Sequence, residues 1–211
     1  MSPELEAPAR EPGPPPLPPR DLHERRLPIH VVQAEVDLWR IHPADRSALF
    51  FGPGKGQPPR GRWDAPDGSF GVCYVAEQRF AAFAETFLRA PGTMVLETAD
   101  LEARSLARIE VIAPLRLAAL HGPGLHAVGA TSASCTGDYA VSRAWAAALH
   151  EHPDWVDGIR YRARHDDDGF AMALFNRVDG LVADMQTAPL THPTNRLYLA
   201  ECLNRYQIGL L

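Results

Sequence analysis

Residues 71–89 read GVCYVAEQRFAAFAETFLR, a strand pattern followed directly by a helix pattern. The first six of them, 71–76, are almost all apolar, which is typical of a buried strand. From residue 77 to residue 89 the apolar side chains recur at helical spacing. On a helical wheel they cluster within about 140°, so the pattern predicts an amphipathic helix packed on a core. The members of this stripe are Phe80, Phe83, Ala84, Phe87 and Leu88.

Glu85 lies just beyond one edge of that apolar stripe, close to Ala81 and Leu88 on the wheel. A carboxylate at such an edge can be half-buried, and enzymes hold a base or a charge stabiliser in this way beside a cleft. The alternative is a boundary glutamate that is solvated at the rim of the helix. The helix pattern alone leaves both interpretations open.

The composition predicts one globular domain preceded by an arm. The chain has 211 residues, of which 45% are hydrophobic, and residues 1–28 hold nine of its twenty prolines. Since proline removes backbone donors and favours extended conformations, we predict a disordered, proline-rich arm over 1–28 and a single domain over 29–211. The arm lacks the apolar core of a signal peptide, and no apolar run approaches the roughly 18 residues of a membrane span. We therefore expect a cytoplasmic protein without a membrane partner.

Charge and metal-ligand spacing argue against two further classes of function. The formal net charge is −5, and binding to a phosphate backbone requires a basic surface, so we expect no direct nucleic-acid binding. The three cysteines form no CxxC pair, and their odd number argues against a disulfide framework. His42, His165 and His192 have no partner spacing that suits a metal ion, so no metal site is expected.

Strand and helix patterns along the chain do not alternate regularly. Residues 36–42 predict the first strand, with Arg40 on its polar face, and residues 51–64 predict a loop rich in glycine and proline. This order favours an α+β fold over a doubly wound sheet. The other predicted elements are strands at 93–98, 108–112 and 116–120, a helix at 138–149 capped by Thr136 or Gly137, a hairpin of 158–162 and 169–175 around an acidic turn at 166–169, and a final helix at 197–203.

Several of these features follow one another in a characteristic order between residues 36 and 180. They are Leu38-Trp39-Arg40, Gly61-Arg62-Trp63-Asp64-Ala65-Pro66, the Tyr74 strand, the Glu85 helix, and Asp157-Gly158-Ile159-Arg160-Tyr161-Arg162-Ala163-Arg164-His165-Asp166. In order and spacing they resemble the RES domain, a bacterial family named for an arginine, a glutamate and a serine. The resemblance implies a fold similar to ADP-ribosyltransferase toxins, a split mixed β-sheet flanked by helices. It also implies a toxin that consumes NAD⁺ by phosphorolysis, hydrolysis or ADP-ribosyl transfer and is neutralised by a cognate antitoxin protein.

The resemblance assigns site residues one by one. Arg40 matches the family arginine of the first strand, Arg62 the arginine of its Gly-Arg-Trp/Phe-Asn segment, Tyr74 the tyrosine of the next strand, and Glu85 the helix glutamate. It implies that Glu85, Arg40 and Tyr74 are catalytic and that Arg40, Arg62 and Tyr74 bind NAD, which is a substrate here and not a resident cofactor.

These residue types also suit the cleavage of NAD⁺ on chemical grounds. Breaking the nicotinamide–ribose bond develops oxocarbenium character at the ribose carbon, which a carboxylate such as Glu85 can stabilise. A diphosphate favours the planar, permanently charged fork that the two arginines supply. Tyr74 offers a ring for stacking on nicotinamide and a hydroxyl for a hydrogen bond. The alternative is that the arginines form surface pairs with Asp64 or Glu77 and that Tyr74 is an ordinary strand aromatic.

Two positions depart from the RES pattern. Asp64 stands where asparagine is usual, and Ala163 stands where the family serine follows its Gly-Ile-Arg-Tyr-like strand. The leading hypothesis is nevertheless an NAD-consuming enzyme, the toxin of a toxin–antitoxin pair, because Arg40, Arg62, Tyr74 and Glu85 are all present. The competing hypothesis is a catalytically weakened RES-like module that binds a nucleotide or a protein, and the missing hydroxyl at Ala163 favours it.

Overall fold

The computed structural model describes residues 13–90 and 92–211, which form a large β-sheet with helices packed against it. Single turns of 3-10 helix lie at Leu22–Glu24, Asn176–Val178 and Pro193–Asn195. The strands are β1 (Ile29–Val32), β2 (Asp37–Pro43), β3 (Val72–Ala76), β4 (Val95–Leu96), β5 (Arg104–Val111), β6 (Leu115–Leu120), β7 (Gly158–Ala163), β8 (Asp166–Phe175), β9 (Val182–Pro189) and β10 (Gly209–Leu210). The α-helices are α1 (Arg79–Phe87), α2 (Thr98–Glu102), α3 (Pro123–Val128), α4 (Ser132–Thr136), α5 (Tyr139–His150) and α6 (Arg196–Arg205).

The main sheet has eight strands in the order β1-β6-β7-β8-β3-β2-β5-β9. Strands β6 and β7 run parallel, and the other neighbours in this sheet run antiparallel. A second, two-stranded sheet pairs β4 with β10 in parallel. The prediction of an α+β fold with a mixed sheet and flanking helices is thus confirmed.

Within the main sheet, the pairing between neighbouring strands is shortest between β2 and β3. One Cα pair, Trp39 with Ala76, joins these two strands, whereas β2 pairs with β5 over its whole length, from Asp37 to Pro43. Beyond Trp39 the two strands therefore separate, and the sheet divides into a five-stranded part ending at β3 and a three-stranded part beginning at β2. This division agrees with the split sheet that the RES resemblance implies.

The two faces of the sheet bury different apolar clusters, because side chains alternate along each strand. In β3, Val72 and Ala76 belong to the cluster that also contains the buried face of α1, whereas Cys73 and Val75 belong to the cluster on the other face. Helix α1 buries residues 81–84 against the first cluster. The strand and helix predicted from residues 71–89 are confirmed, although the helix is shorter than predicted at both ends.

Two element boundaries, the start of α5 and the start of β8, differ from their predicted positions. The cap of α5 is Asp138, whose carboxylate accepts a hydrogen bond from the Ala140 N–H at 2.8 Å, so the prediction of Thr136 or Gly137 is wrong. The acidic turn at 166–169 is also wrong, because β8 already begins at Asp166. Asp166 pairs with Ala163 across the hairpin, and its carboxylate accepts a hydrogen bond of 2.5 Å from the hydroxyl of Tyr206, the C-cap residue of α6.

Two outer strands were missed by the sequence patterns. Strands β1 and β9 lie at the two ends of the sheet order, where one side of the backbone has no partner strand. Most side chains of β9 are polar or exposed, so the strand lacks the alternation on which the prediction depends. The strand predicted at 93–98 is also shorter in the structure, where it comprises the two residues of β4.

The arm predicted over residues 1–28 is packed on the domain from Pro15 onward, and residues 1–12 lie outside the described part of the chain. Leu22 and Leu27 are buried, with 3% and 6% of their surfaces exposed. The Pro16 carbonyl accepts a hydrogen bond from the Trp145 indole N–H at 2.8 Å, and the Leu22 carbonyl contacts the buried His152 Nε2 at 3.0 Å. The prediction of disorder is therefore corrected for residues 13–28, because proline-rich backbone keeps carbonyl acceptors that helix side chains can reach.

None of the helices within these described ranges is long and apolar enough to cross a membrane.

Candidate active site

A cavity of about 180 Å³ opens where β2 and β3 separate. Strands β2 and β3 form one wall, α1 a second, and the start of α5 together with the turn after β7 a third. Its lining is rich in aromatic and cationic side chains, and it includes one carboxylate. Lining residues include Trp39, Arg40, Arg60, Arg62, Tyr74, Glu85, Arg89, Tyr139, Tyr161, Arg164 and His165.

Glu85 is the carboxylate of this cavity. It lies on α1 at the edge of the buried face, and its Oε1 accepts a hydrogen bond of 2.6 Å from the backbone N–H of Arg164. Burial raises the pKa of Glu85 above its usual range, while the Arg164 N–H and the nearby guanidinium groups of Arg89 and Arg62 oppose the shift. A half-buried carboxylate held beside cations is typical of a functional group in a cleft, and this environment favours that interpretation of Glu85 over a glutamate solvated at the rim of the helix.

Arg62 is the buried cation of the cavity, with 8% of its surface exposed. Its Nη1 donates to the Gly137 carbonyl at 2.6 Å and contacts the Ser142 hydroxyl at 3.2 Å, and its guanidinium lies 4.4 Å from the centre of the Tyr139 ring. Its Nη2 is buried and has no hydrogen-bond partner among the described residues. A buried donor without a partner costs free energy, so Arg62 Nη2 is an unsatisfied polar group beside the cavity.

Tyr74 contributes its ring to the cavity, but its hydroxyl is occupied within the protein. The hydroxyl donates to Asp64 Oδ1 at 2.7 Å and accepts from the Trp63 N–H at 2.9 Å. Burial, together with the Asp64 charge, raises the pKa of Tyr74 well above its ordinary value. The expected hydrogen bond from this hydroxyl to substrate is therefore replaced by a bond to Asp64.

Asp64, at the position where the RES pattern has asparagine, organises the loop in front of β3. Its Oδ2 accepts the backbone N–H groups of Arg60 and Gly61 at 2.8 and 2.5 Å. A Cβ at Gly61 would overlap the Tyr74 hydroxyl and the Asp64 carboxylate, so the loop requires glycine at this position. A carboxylate can only accept, which fixes the Tyr74 hydroxyl as the donor, whereas an asparagine amide could donate to it instead.

Arg40 lies at the split itself, with its guanidinium directed away from Glu85's side of the sheet. By strand alternation its side chain leaves β2 on the opposite face from Trp39. Its Nη1 contacts Cys73 Sγ and donates to the Phe50 carbonyl at 3.3 Å. Arg40 therefore lines the cavity where the strands separate, and it also holds the chain around Phe50 against β3.

The surface ion pairs considered as alternatives for the two arginines are absent among the described residues. Glu77 pairs with Arg160 at 2.6 Å, and Asp64 accepts from backbone N–H groups and Tyr74. Neither carboxylate lies within 4.0 Å of a guanidinium nitrogen of Arg40 or Arg62. Within the same ranges, no group of three or more histidine, cysteine, aspartate or glutamate side chains could hold a metal ion.

The family model described as the RES domain matches residues 37–194 of the chain. The chain belongs to the RES domain family. The matched range contains every residue named so far as lining the cavity, from Trp39 and Arg40 on β2 to the turn after β7.

One solved structure supports the same fold. A chain of the crystal structure of the M. tuberculosis MbcT–MbcA toxin–antitoxin complex aligns with a TM-score of 0.57 and 24% sequence identity, covering 81% of this chain and 90% of that one. At this identity the likeness concerns the fold. None of the curated proteins matches the chain.

Ala163, the position that the resemblance assigns to the family serine, lies at the end of β7. Ala163 is buried, with 1% of its surface exposed, and packs in the cluster on α1's side of the sheet. Its neighbours Arg164 and His165 line the cavity, and Arg164 supplies the N–H that binds Glu85. The departure from serine is therefore one residue away from the contact that holds the carboxylate.

Several cavity residues of this RES domain were missed by sequence reasoning. Tyr139 lies at the start of α5 and covers Arg62, and Tyr161 lies on β7 with its ring 5.2 Å from that of Trp63. Burial, and secondarily the Glu85 charge, raises the pKa of Tyr161 well above its ordinary value. Burial, together with nearby arginines including Arg164, lowers the pKa of His165. Tyr161 and His165 belong to the hairpin motif that carries the resemblance, which is the signal that could have pointed to them.

Proposed function

We propose that this protein cleaves the nicotinamide–ribosyl bond of NAD⁺. The observation that carries the proposal is Glu85, a half-buried carboxylate held by the Arg164 N–H in a cavity otherwise lined by cations and aromatic rings. Membership of the RES family supports NAD⁺ as the substrate class, because the family resemblance implies it.

In this proposal Glu85 stabilises the positive charge that develops at the ribose carbon as nicotinamide leaves. The charge arises only in the transition state, so a fixed carboxylate lowers the barrier rather than merely strengthening substrate binding. The Arg164 N–H restrains the carboxylate before the reaction begins, so little reorganisation is needed. The acceptor of the ribosyl group remains one of three: water, phosphate or a protein side chain.

Arg62 and the aromatic rings bind and orient the substrate. The Arg62 side chain lines the cavity, where its guanidinium charge suits a phosphate or ribose oxygen, and its Nη1 bonds to Gly137 and Ser142 fix the direction in which the fork points. The Tyr74 and Tyr139 rings offer flat apolar surface for a nicotinamide ring. Arg40, with its guanidinium on the Phe50 side, contributes positive charge where the strands separate.

We further propose that the protein is the toxin of a toxin–antitoxin pair, with NAD⁺ and a cognate antitoxin protein as its partners. The complex from which the similar solved chain comes is described as a toxin–antitoxin complex, and this description supports the proposal. The second candidate function is a catalytically weakened module that binds a nucleotide or a protein. Ala163 favours it, because the family serine is missing beside the Glu85 contact.

The purified protein incubated with NAD⁺, with and without phosphate, separates these candidates. We expect nicotinamide to appear, with the product distribution revealing whether water or phosphate accepts the ribosyl group. Ala163→Ser should raise the rate modestly, since one neutral hydrogen bond is worth about 0.5–1.5 kcal/mol, or two- to tenfold. An inert natural protein whose activity is restored strongly by Ala163→Ser would favour the weakened module.

A further inference from the structure

A second cavity of about 440 Å³ adjoins the one that contains Glu85. The two share Arg60, Gly61, Tyr74 and Arg89 in their linings, so these residues form the boundary between them. The first cavity alone is smaller than the roughly 300–1,000 Å³ of typical ligand sites, whereas the two together fall within that range. A ligand that occupies both cavities would contact the residues that they share.

The second cavity is lined by cations that make no ion pair within 4.0 Å with a carboxylate of the described residues. These cations are the side chains of Arg46, Arg60 and Arg89. The one carboxylate in the lining, Asp64, already accepts two backbone N–H groups and the Tyr74 hydroxyl. The cavity therefore offers guanidinium groups to an anion, with Arg60 and Arg89 at the boundary, and guanidinium groups match the geometry of phosphate oxygens.

The far side of the second cavity offers a flat surface next to one of these cations. The Arg46 guanidinium lies over the Phe50 ring at 5.3 Å from its centre, and 41% of Phe50 is exposed. Gly52 lets the ring lie against the backbone, because a Cβ there would overlap it. The outer face of a guanidinium that lies over a ring is a surface on which an aromatic base can stack.

We infer that the second cavity binds the adenylate half of NAD⁺, with the diphosphate at the boundary formed by Arg60 and Arg89 and the adenine near Arg46 and Phe50. The inference rests on the proposed function, because it takes the dinucleotide as the ligand and assigns its direction. The nicotinamide–ribosyl end then lies in the first cavity beside Glu85. The class of ligand that suits the lining of the second cavity is a flat base joined to a phosphate.

Nicotinamide mononucleotide tests this direction, since it contains the scissile bond but lacks the adenylate half. Arg46→Ala should raise the KM for NAD⁺ about tenfold, the effect of losing one cation–π stacking contact with the base, and leave kcat/KM for nicotinamide mononucleotide unchanged. The matched control is Arg196→Ala, since Arg196 is exposed and makes no side-chain hydrogen bond or ion pair within the described ranges. It should change neither substrate's kinetics. Equal effects of Arg46→Ala on the two substrates, or none on NAD⁺, would overturn the inference.

Calorimetric titration with AMP and with inorganic phosphate tests the cavity independently of turnover. We expect AMP to bind the wild-type protein and to bind Arg46→Ala about tenfold more weakly, with phosphate binding far more weakly than AMP. No AMP binding, or AMP no tighter than phosphate, would overturn the adenylate assignment even if NAD⁺ is consumed. AMP binding without NAD⁺ loss would instead preserve the inference and reject the proposed reaction.

Discussion

Glu85 on α1 accepts a hydrogen bond of 2.6 Å from the backbone N–H of Arg164, in the turn between β7 and β8. The contact joins residues 79 positions apart in sequence and fixes the carboxylate at the mouth of the split between β2 and β3. It uses one lone pair of Oε1, so the rest of the carboxylate can face a substrate. This pairing accounts for how the helix and the hairpin motif act at a single site.

The raised pKa of Glu85 predicts a shifted pH profile. The proposed reaction needs the ionised carboxylate, and burial raises its pKa despite the opposing Arg164 N–H and the nearby arginines. We therefore expect the acid limb of kcat/KM for NAD⁺ consumption, which reports the free enzyme, to lie above the value of about 4.3 for an unperturbed glutamate. Initial rates measured across the acidic range check this, and an acid limb at or below that value would contradict it.

The same shift predicts a pH-dependent difference in stability. Because the folded-state pKa is raised, the stabilising contribution of Glu85 is full below its unfolded pKa and is lost as pH rises through the folded one. The glutamine of Glu85→Gln does not ionise. The melting temperature of this variant should therefore increase relative to that of the wild type as pH rises above about 4.3. Thermal melts over this range measure the difference. Glu102 is exposed, so Glu102→Gln serves as the control. If the melting temperature of Glu85→Gln minus that of the wild type stays constant or falls as pH rises, the raised pKa of Glu85 is contradicted.

Arg62→Lys should weaken both substrate binding and the fold. Lysine keeps the charge but cannot reproduce the planar fork that spans the Gly137 carbonyl, the Ser142 hydroxyl and the Tyr139 ring. Since Arg62 is buried, we expect a loss of about 1–3 kcal/mol in the free energy of unfolding together with weaker binding of a non-hydrolysable NAD⁺ analogue. Denaturant unfolding and calorimetry measure the two effects. Wild-type affinity in this variant would remove Arg62 from the binding site.

The arm offers a test of packing within one short segment. Leu22 is 3% exposed and Leu17 is 62% exposed, so the two leucines form a matched pair. Leu22→Ala should lower the free energy of unfolding by about 2–5 kcal/mol, whereas Leu17→Ala should leave it nearly unchanged. Equal melting curves for the two variants would show that residues 13–28 contribute nothing to the folded domain, as the composition alone predicts.

The sequence predicts the centre of the fold better than its edges. The strand and helix of residues 71–89 carry strong apolar periodicity, and both occur in the structure close to their predicted bounds. Strand β9 consists largely of exposed residues, so its sequence shows no alternation of apolar and polar side chains. Its backbone pairing with β5, which the sequence does not reveal, places it in the sheet. The arm was misjudged because its anchors are carbonyls, such as that of Pro16, which sequence composition does not reveal.

For the site, the sequence identifies residue types but not their partners. Glu85, Arg62 and Tyr74 line one cavity, as the motif order suggests. The engagement of the Tyr74 hydroxyl by Asp64 depends on a loop turn closed by backbone N–H groups, and no spacing rule encodes it. Arg40 shares the cavity, yet its guanidinium contacts Phe50's carbonyl, because strand alternation places it on the other face from Trp39.

The most direct measurement is the rate of nicotinamide release from NAD⁺ by the wild-type protein, Glu85→Gln and Glu102→Gln under identical conditions. Glutamine conserves the volume of Glu85 and can keep the bond from the Arg164 N–H, so the change removes little besides the charge. Loss of an electrostatic stabiliser costs on the order of 3 kcal/mol, so we predict at least a hundredfold lower rate for Glu85→Gln with a folded protein and an unchanged rate for Glu102→Gln. Release at the wild-type rate by Glu85→Gln, or no release by the wild type with or without phosphate, would contradict the account.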